Sequence, residues 1–558
     1  MSSETSVEAF SFETFEKLVQ SSSDYYHRHL EKVENDEVLQ TRGHLINWIR
    51  KFHEDCGTLN SNVEKAIENL RQGPCLFLMT AHQPNLLAYG GVLRKATLNH
   101  VLAERLSKKL NMPVVSFFGL ADQDFTDDRW VKSALLPDVE RRDGVLEIRS
   151  EMPEKLLLNK AAKPSRQVLD MWRHSLSDWL DRNLNLANKS LNPSGHSGIR
   201  TRLDKNDLTQ NLDWLWNVIE EAYSRATVCS DFNAYVISRI VNKVWNYGTL
   251  FSRFSECQQI FEHQFCKLLT RFEEYSGFIK EATTSSEDNQ GGVYDSEWQT
   301  LPFWYHCDCG SKARLMAQQQ RTGLTGHGAC IRCGKEYQID FPHPENDISK
   351  ISMKISARSL SMPLVFFEGL GVSFYIGGSG GKQYLQQAEH VARRMGILFP
   401  PVAIWRPKDI YSGIGQLAAL SILKSLGGVG DFSIYETVRA QLENKVMTAR
   451  KEIDELEQQK QKLAEEIETD KEKKINQIKA LSAEQHQIRR EYNYPFLSRN
   501  MKLVENIGRV MNLYPCIVDY AVNIGLKETS EQWISYLIRN GNLLSDVRLT
   551  TRLENNIP

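Results

Sequence analysis

The pattern of apolar and polar positions divides the chain into segments of different period. Residues 8–72 carry apolar side chains at helical spacing, first Phe10, Phe12, Phe15 and Leu18, then Leu45, Ile46, Trp48, Ile49 and Phe52. Residues 75–80 (Cys-Leu-Phe-Leu-Met-Thr) replace that period with an unbroken apolar run, the pattern of a strand buried on both faces of a parallel sheet. The polar turn 81–85 (Ala-His-Gln-Pro-Asn) closes it. A helix is expected over about 92–109, with Leu98, Val101, Leu102 and Leu106 on one face, and residues 113–118 read as a second strand. Strand, loop, helix and strand in this order predict the start of a doubly wound α/β domain.

Residues 160–280 read as mainly helical and 283–297 as a polar linker. The α/β pattern then resumes. Residues 364–367 and 373–376 are strand-like, 377–381 (Gly-Gly-Ser-Gly-Gly) form a turn, 382–396 a helix and 400–405 a further strand. Between Tyr435 and Tyr492 there is no Gly or Pro, and Leu442, Ala449, Leu456 and Leu463 recur every seven residues. Val446, Ile453 and Ile467 occupy the offset seam, with Lys460 as an exception, so a coiled coil is expected. The charged run 470–474 interrupts the seam. It leaves two readings, an antiparallel hairpin with its tip near 470 or a single helix about 87 Å long at 1.5 Å per residue.

These shifts divide the chain into an N-terminal helical segment (1–72), the first half of a Rossmann-like core (73–158) and a helical insertion (159–298). A cysteine-bearing module (299–345), the second half of the core (346–430), a coiled coil (431–493) and a helical tail (494–558) complete it. Composition adds limits. The chain has 558 residues, 41% hydrophobic and 25% charged, ordinary values for a folded protein. Lys+Arg 68 against Asp+Glu 70 gives a net charge of −2, which argues against a nucleic-acid coat or a polybasic membrane binder. No apolar run approaches the roughly 18 residues of a spanning helix, and the first residues lack the basic start and apolar stretch of a signal peptide. A cytoplasmic location with no membrane partner is therefore expected.

Four of the ten cysteines are clustered. Cys330-Ile331-Arg332-Cys333-Gly334 has the form of a zinc knuckle, and His306-Cys307-Asp308-Cys309-Gly310 is its partner half. Thiolate count gives a site of Cys307, Cys309, Cys330 and Cys333. Alignment of the two glycines gives His306 in place of Cys307. Four protein ligands leave no open position, so a structural Zn²⁺ is expected. His327 reads as a loop histidine.

Three further constellations follow strands, where open α/β sheets bind ligands. The first is the turn Thr80, Ala81, His82 and Gln83 with Gly90, Gly91 and Lys95 beyond it, which suits phosphate oxygens. The second is Asp122 and Asp124, two carboxylates at i and i+2 that suit Mg²⁺, a ribose hydroxyl or an ammonium, or else cap a helix. The third is Gly377, Gly378, Ser379 and Gly380 with Lys382, an anion-friendly turn that departs from the Walker A spacing. Arg358 and Arg406, beside strands, are candidates for phosphate or carboxylate pairing. If the sheet is parallel, the loops 80–85, 119–124 and 377–382 reach one edge.

In order and spacing these pieces resemble the bacillithiol-biosynthesis cysteine-adding enzymes, the BshC family. The family's Thr-Gly-(Gln/His)-Gln turn corresponds to Thr80-Ala81-His82-Gln83, its acidic Glu-Asp-His-Asp-Phe segment to Ala121-Asp122-Gln123-Asp124-Phe125, and its Gly-Gly-Pro-Gly-Glu turn to Gly377–Gly381 with Tyr384 following. A Pro-rich strand ending in Arg corresponds to Pro400–Arg406. Ala81, Gln123, Ser379 and Gly381 depart from that pattern, and the zinc ribbon lies outside it. The resemblance implies a core like that of class I synthetases and nucleotidyltransferases and a coiled coil that dimerises. It also implies an ATP- and Mg²⁺-dependent ligase joining cysteine, or a related amino acid, to an amine such as glucosaminyl-malate. In that role His82, Lys95, Asp122 and Asp124 would be catalytic, with Thr80, Gln83, Gly90, Gly91, Gly377, Gly378, Ser379, Gly380, Lys382 and Arg406 around the nucleotide. Two other readings are a synthetase paralogue that binds RNA or a nucleotide without ligase activity, and a coiled-coil assembly protein.

Overall fold

The computed structural model describes residues 12–191, 204–284, 297–320, 323–342, 347–405, 408–427, 431–466, 470–539 and 541–553. At its centre lies a five-stranded parallel sheet. In chain order its strands are β1 (Leu76–His82), β2 (Val114–Leu120), β3 (Leu250–Arg253), β4 (Val372–Gly377) and β5 (Val402–Ile404), and their spatial order is 3-2-1-4-5. That is the doubly wound order, with the topological switch between β1 and β4. Strand residues alternate between two cores. Leu76, Leu78, Phe118 and Ile376 face the helices Phe15–Arg28 and Gly90–Leu110, whereas Phe77, Met79, Phe117 and Tyr375 face Asp36–Cys56, Ser361–Gly369 and Lys382–Met395. Both faces are therefore covered, which is why these strands read as continuous apolar runs.

Two expectations about elements are corrected. Residues 364–367 belong to the helix Ser361–Gly369, not to a strand. A short run that is apolar on every side has no period to distinguish the two, and Pro363 in the first turn favours the helix. The stretch expected to be a helical insertion also supplies β3, an edge strand of four residues that is too short to announce itself between helices. Of the expected linker, residues 285–296 lie outside the described residues.

The cysteine-bearing module is an antiparallel sheet in the order 355–357, 300–306, 312–320, 323–329, 336–342. The seven-residue repeat folds as the hairpin reading has it. Helices Tyr435–Glu465 and Lys471–Glu491 pack against each other, with Leu442, Ala449, Ile453 and Leu456 buried. Gln485 is buried in the seam and donates to the Ile453 carbonyl at 3.0 Å, while Tyr492 donates to Glu452 at 2.7 Å. The single long helix is thereby excluded. Helices Tyr494–Asn512, Ile517–Asn523 and Leu526–Arg539 form the tail. Among the described residues no helix is long and apolar enough to cross a membrane.

Candidate functional site at the sheet edge and the cysteine cluster

The C-terminal ends of β1, β2 and β4 open into one cavity of about 580 Å³. It lies at the switch point, and the end of β1 and the loops after all three strands line it with Ala81, His82, Gln83, Gln123, Asp124, Gly378, Gly380 and Gly381. Lys95, on the second turn of the helix after β1, reaches in from below. Its side chain is buried, with one long hydrogen bond to the Ala81 carbonyl at 3.4 Å, and no carboxylate pairs with it among the described residues. Burial lowers its pKa to about 7. Gly378 brings its backbone close to this ammonium, since a Cβ at that position would stand 3.0 Å from the Lys95 Nζ.

His82 is not a cation in this site. Its Nδ1 donates to the Gln83 carbonyl at 2.9 Å, which leaves Nε2 to accept from the Tyr89 hydroxyl at 3.1 Å. Burial first, and the neighbouring Lys95 charge second, lower its pKa to about 3. It therefore lines the cavity as a neutral ring and brings no positive charge to a phosphate there.

The two aspartates part company. Asp124 lines the cavity, accepts from Gln83 Nε2 at 3.0 Å and lies 4.0 Å from Lys312 Nζ. Asp122 points to the opposite side of the loop. It accepts from the backbone N–H of Ser255 at 2.9 Å and from the Ser255 hydroxyl, capping the short helix Phe254–Cys257. Burial raises its pKa to about 6. The helix-capping alternative is the one realised for Asp122, and the pair does not frame one cation. A turn closed by Asp124 N–H to the Ala121 carbonyl, 3.4 Å, is what splits them.

Other expected site residues also fall outside the cavity. Thr80 is buried and donates to the Ile376 carbonyl at 2.8 Å, tying β1 to β4. Gly90 and Gly91 start the helix Gly90–Leu110, but the C-terminal tail closes that end. Gly90 N–H donates to Pro515 at 3.4 Å, and a Cβ at Gly90 would meet the Tyr520 hydroxyl. The helix start is thus no phosphate cradle. Gly377 is buried within β4, and Lys382 is exposed at the start of its helix. Arg406 lies outside the described residues.

The far wall was not visible in the motifs. Tyr89 precedes the helix Gly90–Leu110, Asp128 and Trp130 start the short helix Arg129–Lys132, and Trp304, Ala357 and the adjoining Arg358 come with the antiparallel sheet of the cysteine module. Arg358 is buried and stacks on Trp304 at 4.3 Å. Of these only Arg358 was a candidate from sequence. One aromatic-rich segment, Phe303-Trp304-Tyr305, and the lone Tyr89 were the signal available for the rest.

The cysteine cluster is local. Cys307, Cys309, Cys330 and Cys333 bring their sulfurs within 4.8 Å of one another, with 3.5 Å between Cys307 and Cys333 and between Cys309 and Cys330. Four thiolates on one tetrahedral zinc at about 2.3 Å would stand about 3.8 Å apart, so the donor set fits a metal ion. Each half turns back on a glycine with positive φ, +82° at Gly310 and +74° at Gly334, whose N–H groups donate to Cys307 and Cys330 at 3.0 Å. His306 is not part of this cluster of ligand atoms, and its Nε2 bonds Ser356 Oγ at 2.9 Å in the neighbouring strand. His327 is exposed on its own strand. Compared with protein-family models and with curated proteins, the chain matches none.

Proposed function

We propose that the sheet-edge cavity binds a nucleotide and that the protein is an amide-forming ligase of the BshC type, joining an amino acid such as cysteine to an amine, on a core like that of class I synthetases. The observation that carries the nucleotide reading is Lys95, a buried ammonium with no carboxylate partner among the described residues, beside the Gly378–Gly381 turn at a doubly wound switch point. Such a cation is stabilised by an anion that enters beside it. The ligase reading rests on the sequence resemblance. In that reaction the amino-acid carboxylate takes up a phosphoryl or adenylyl group, the amine attacks the acyl carbon, and the phosphate-bearing fragment leaves with one carboxylate oxygen as the amine loses a proton. Lys95 would offset the charge that develops on the leaving phosphate. Asp124 would hold an ammonium or the metal of the nucleotide. The four cysteines would hold zinc in a closed, structural site.

The test is calorimetric titration with Mg·ATP, followed by mass spectrometry of ATP, cysteine and amine mixtures. ATP should bind, Lys95→Ala should lose at least tenfold in affinity, and an amide product should form only with ATP present. ATP that fails to bind, or that binds equally to Lys95→Ala, overturns the nucleotide reading. ATP binding without any amide product overturns the ligase reading.

A further inference from the structure

Three successive carbonyls of the loop after β2 are held from outside the parallel sheet. Asp122 O accepts from Asn159 N–H at 3.0 Å, Gln123 O from Lys312 Nζ at 2.9 Å, and Asp124 O from Leu158 N–H at 2.9 Å. Both sources lead to the same place. Lys312 sits between the two metal knuckles. Cys307 N–H donates to the carbonyl of the preceding Ser311 at 2.8 Å, and Ile331 N–H, inside the second knuckle, donates to Lys312 O at 3.2 Å. The segment 156–160 docks on the first knuckle, with Leu157 N–H donating to Gly310 O at 2.9 Å and the Gly310 Cα packed against Leu156 and Lys160. The Lys312 ammonium is buried between Phe125 and Trp304, at 4.7 and 5.2 Å from their ring centres. Phe125 belongs to the loop and Trp304 to the cavity wall.

We propose that the four-cysteine metal site is coupled to the sheet-edge cavity, with Lys312 as the positioning residue that transmits metal occupancy to Gln123 and Asp124. The physical reason is economy of anchors. A backbone turn that presents Gln123 and Asp124 to the cavity has its carbonyls turned away, and each needs a donor. Lys312 stands between the two halves, 307–310 and 330–334, which thiolate ligation of a metal would hold together, and Leu158 and Asn159 stand on the segment that docks on the first half. A metal that leaves releases the knuckle turns, then Ser311–Lys312 and Leu157–Asn159, and then the loop. Coupling of this kind is reciprocal, so a ligand that orders the loop raises the affinity for metal by the factor by which metal raises the affinity for ligand.

The full chain tests this in two arms. In the first, amide hydrogen exchange is compared before and after the metal is stripped by a chelator. Leu158 and Asn159 should exchange at least tenfold faster in the stripped protein, while amides of β1 and β4 keep their protection. Unchanged exchange at Leu158 and Asn159 overturns the coupling. In the second arm, zinc affinity is measured by chelator competition with and without Mg·ATP. It should rise at least threefold with ATP in the unaltered chain and in Lys312→Arg, and by a clearly smaller factor in Lys312→Met, which keeps the Leu158 and Asn159 anchors and should still carry one zinc. A response in Lys312→Met equal to that of the unaltered chain overturns the role of Lys312. The second arm rests on the nucleotide reading proposed above, whereas the first uses no nucleotide. ATP that does not bind therefore removes that reading and leaves the exchange result to decide the coupling.

Discussion

Two cavities of nearly equal size, about 580 and 590 Å³, flank the loop that follows β2, and they differ in how their charges are satisfied. On the β3 side the charges saturate one another. Arg253 meets Asp231 at 2.8 Å, Glu256 at 3.0 Å and the Tyr235 hydroxyl at 2.6 Å, and Asp122 is closed by Ser255. On the β4 side the buried Lys95 has, among the described residues, one long hydrogen bond to a carbonyl and no carboxylate. The first arrangement is a brace, whose charges spend their interactions on the fold. The second, in the reading proposed above, is a receptor, which keeps a charge unspent at a cost in stability until a ligand arrives. Size and position at the same sheet edge would not have separated them.

The largest expected effect lies in the brace. Arg253→Met leaves Asp231 and Glu256 without the guanidinium that spans them. Removing one partner of a buried ion pair costs about 3–5 kcal/mol, because the other charge stays buried. Denaturant unfolding should show that loss, while affinity for Mg·ATP in the remaining folded protein stays within about twofold. A variant of unaltered stability that loses its ligand would reverse the two roles.

The receptor should respond in the opposite sense. Burial lowers the Lys95 ammonium to about 7 from an ordinary 10.5, so between those values the unfolded chain holds a proton that the folded chain lacks. Stability therefore rises with pH across that window, by up to about 1.4 kcal/mol per unit for this one group. Lys312, lowered to about 8, adds a similar rise from pH 8 upward. Lys95→Met should remove the part of the rise that begins near pH 7. Ligand binding needs the proton back, so affinity for an anionic ligand should fall about tenfold per unit above pH 7. Lys95→Arg should flatten that fall, since a guanidinium stays charged. A steep fall that persists in Lys95→Arg would place the titrating group elsewhere.

How much of this was legible depends on how far apart the contributing residues are. The four cysteines announce their cluster because ligand spacing and the two glycines fix it within a few residues. β1, β2 and β4 announce themselves because a strand covered on both faces must be apolar throughout, and the loops that follow them reach one edge once the sheet is parallel. β3 stayed hidden, because four residues at a sheet edge carry too little pattern. The far wall stayed hidden for another reason. Trp304 and Arg358 belong to a different sheet, and only its docking brings them opposite Asp124. Side-chain direction was the least legible property. Asp122 and Asp124 would share a side in an extended strand. One turn hydrogen bond sends them into different cavities.

That divergence within three residues gives the smallest and sharpest test. Asp122→Ala removes the acceptor for both the N–H and the hydroxyl of Ser255 at a helix start, and a lost cap of this kind costs about 1–2 kcal/mol. Burial raises the Asp122 carboxyl to about 6, so the fold holds its proton more tightly than the unfolded chain does. Its contribution is therefore greatest at low pH and declines as pH rises from about 4 to about 6, and the cost of Asp122→Ala should shrink over the same interval. Asp124 is 37% exposed and bonded by Gln83, so Asp124→Ala should change stability by no more than about 0.5 kcal/mol. Its effect should appear in the cavity instead, as weaker binding of a ligand that carries an ammonium or a divalent cation. Unfolding and titration of the two alanine variants side by side decide the assignment. If Asp124→Ala proves the more destabilising and Asp122→Ala the more damaging to binding, the loop presents its other face to the ligand, and the cavity beside β3 becomes the receptor.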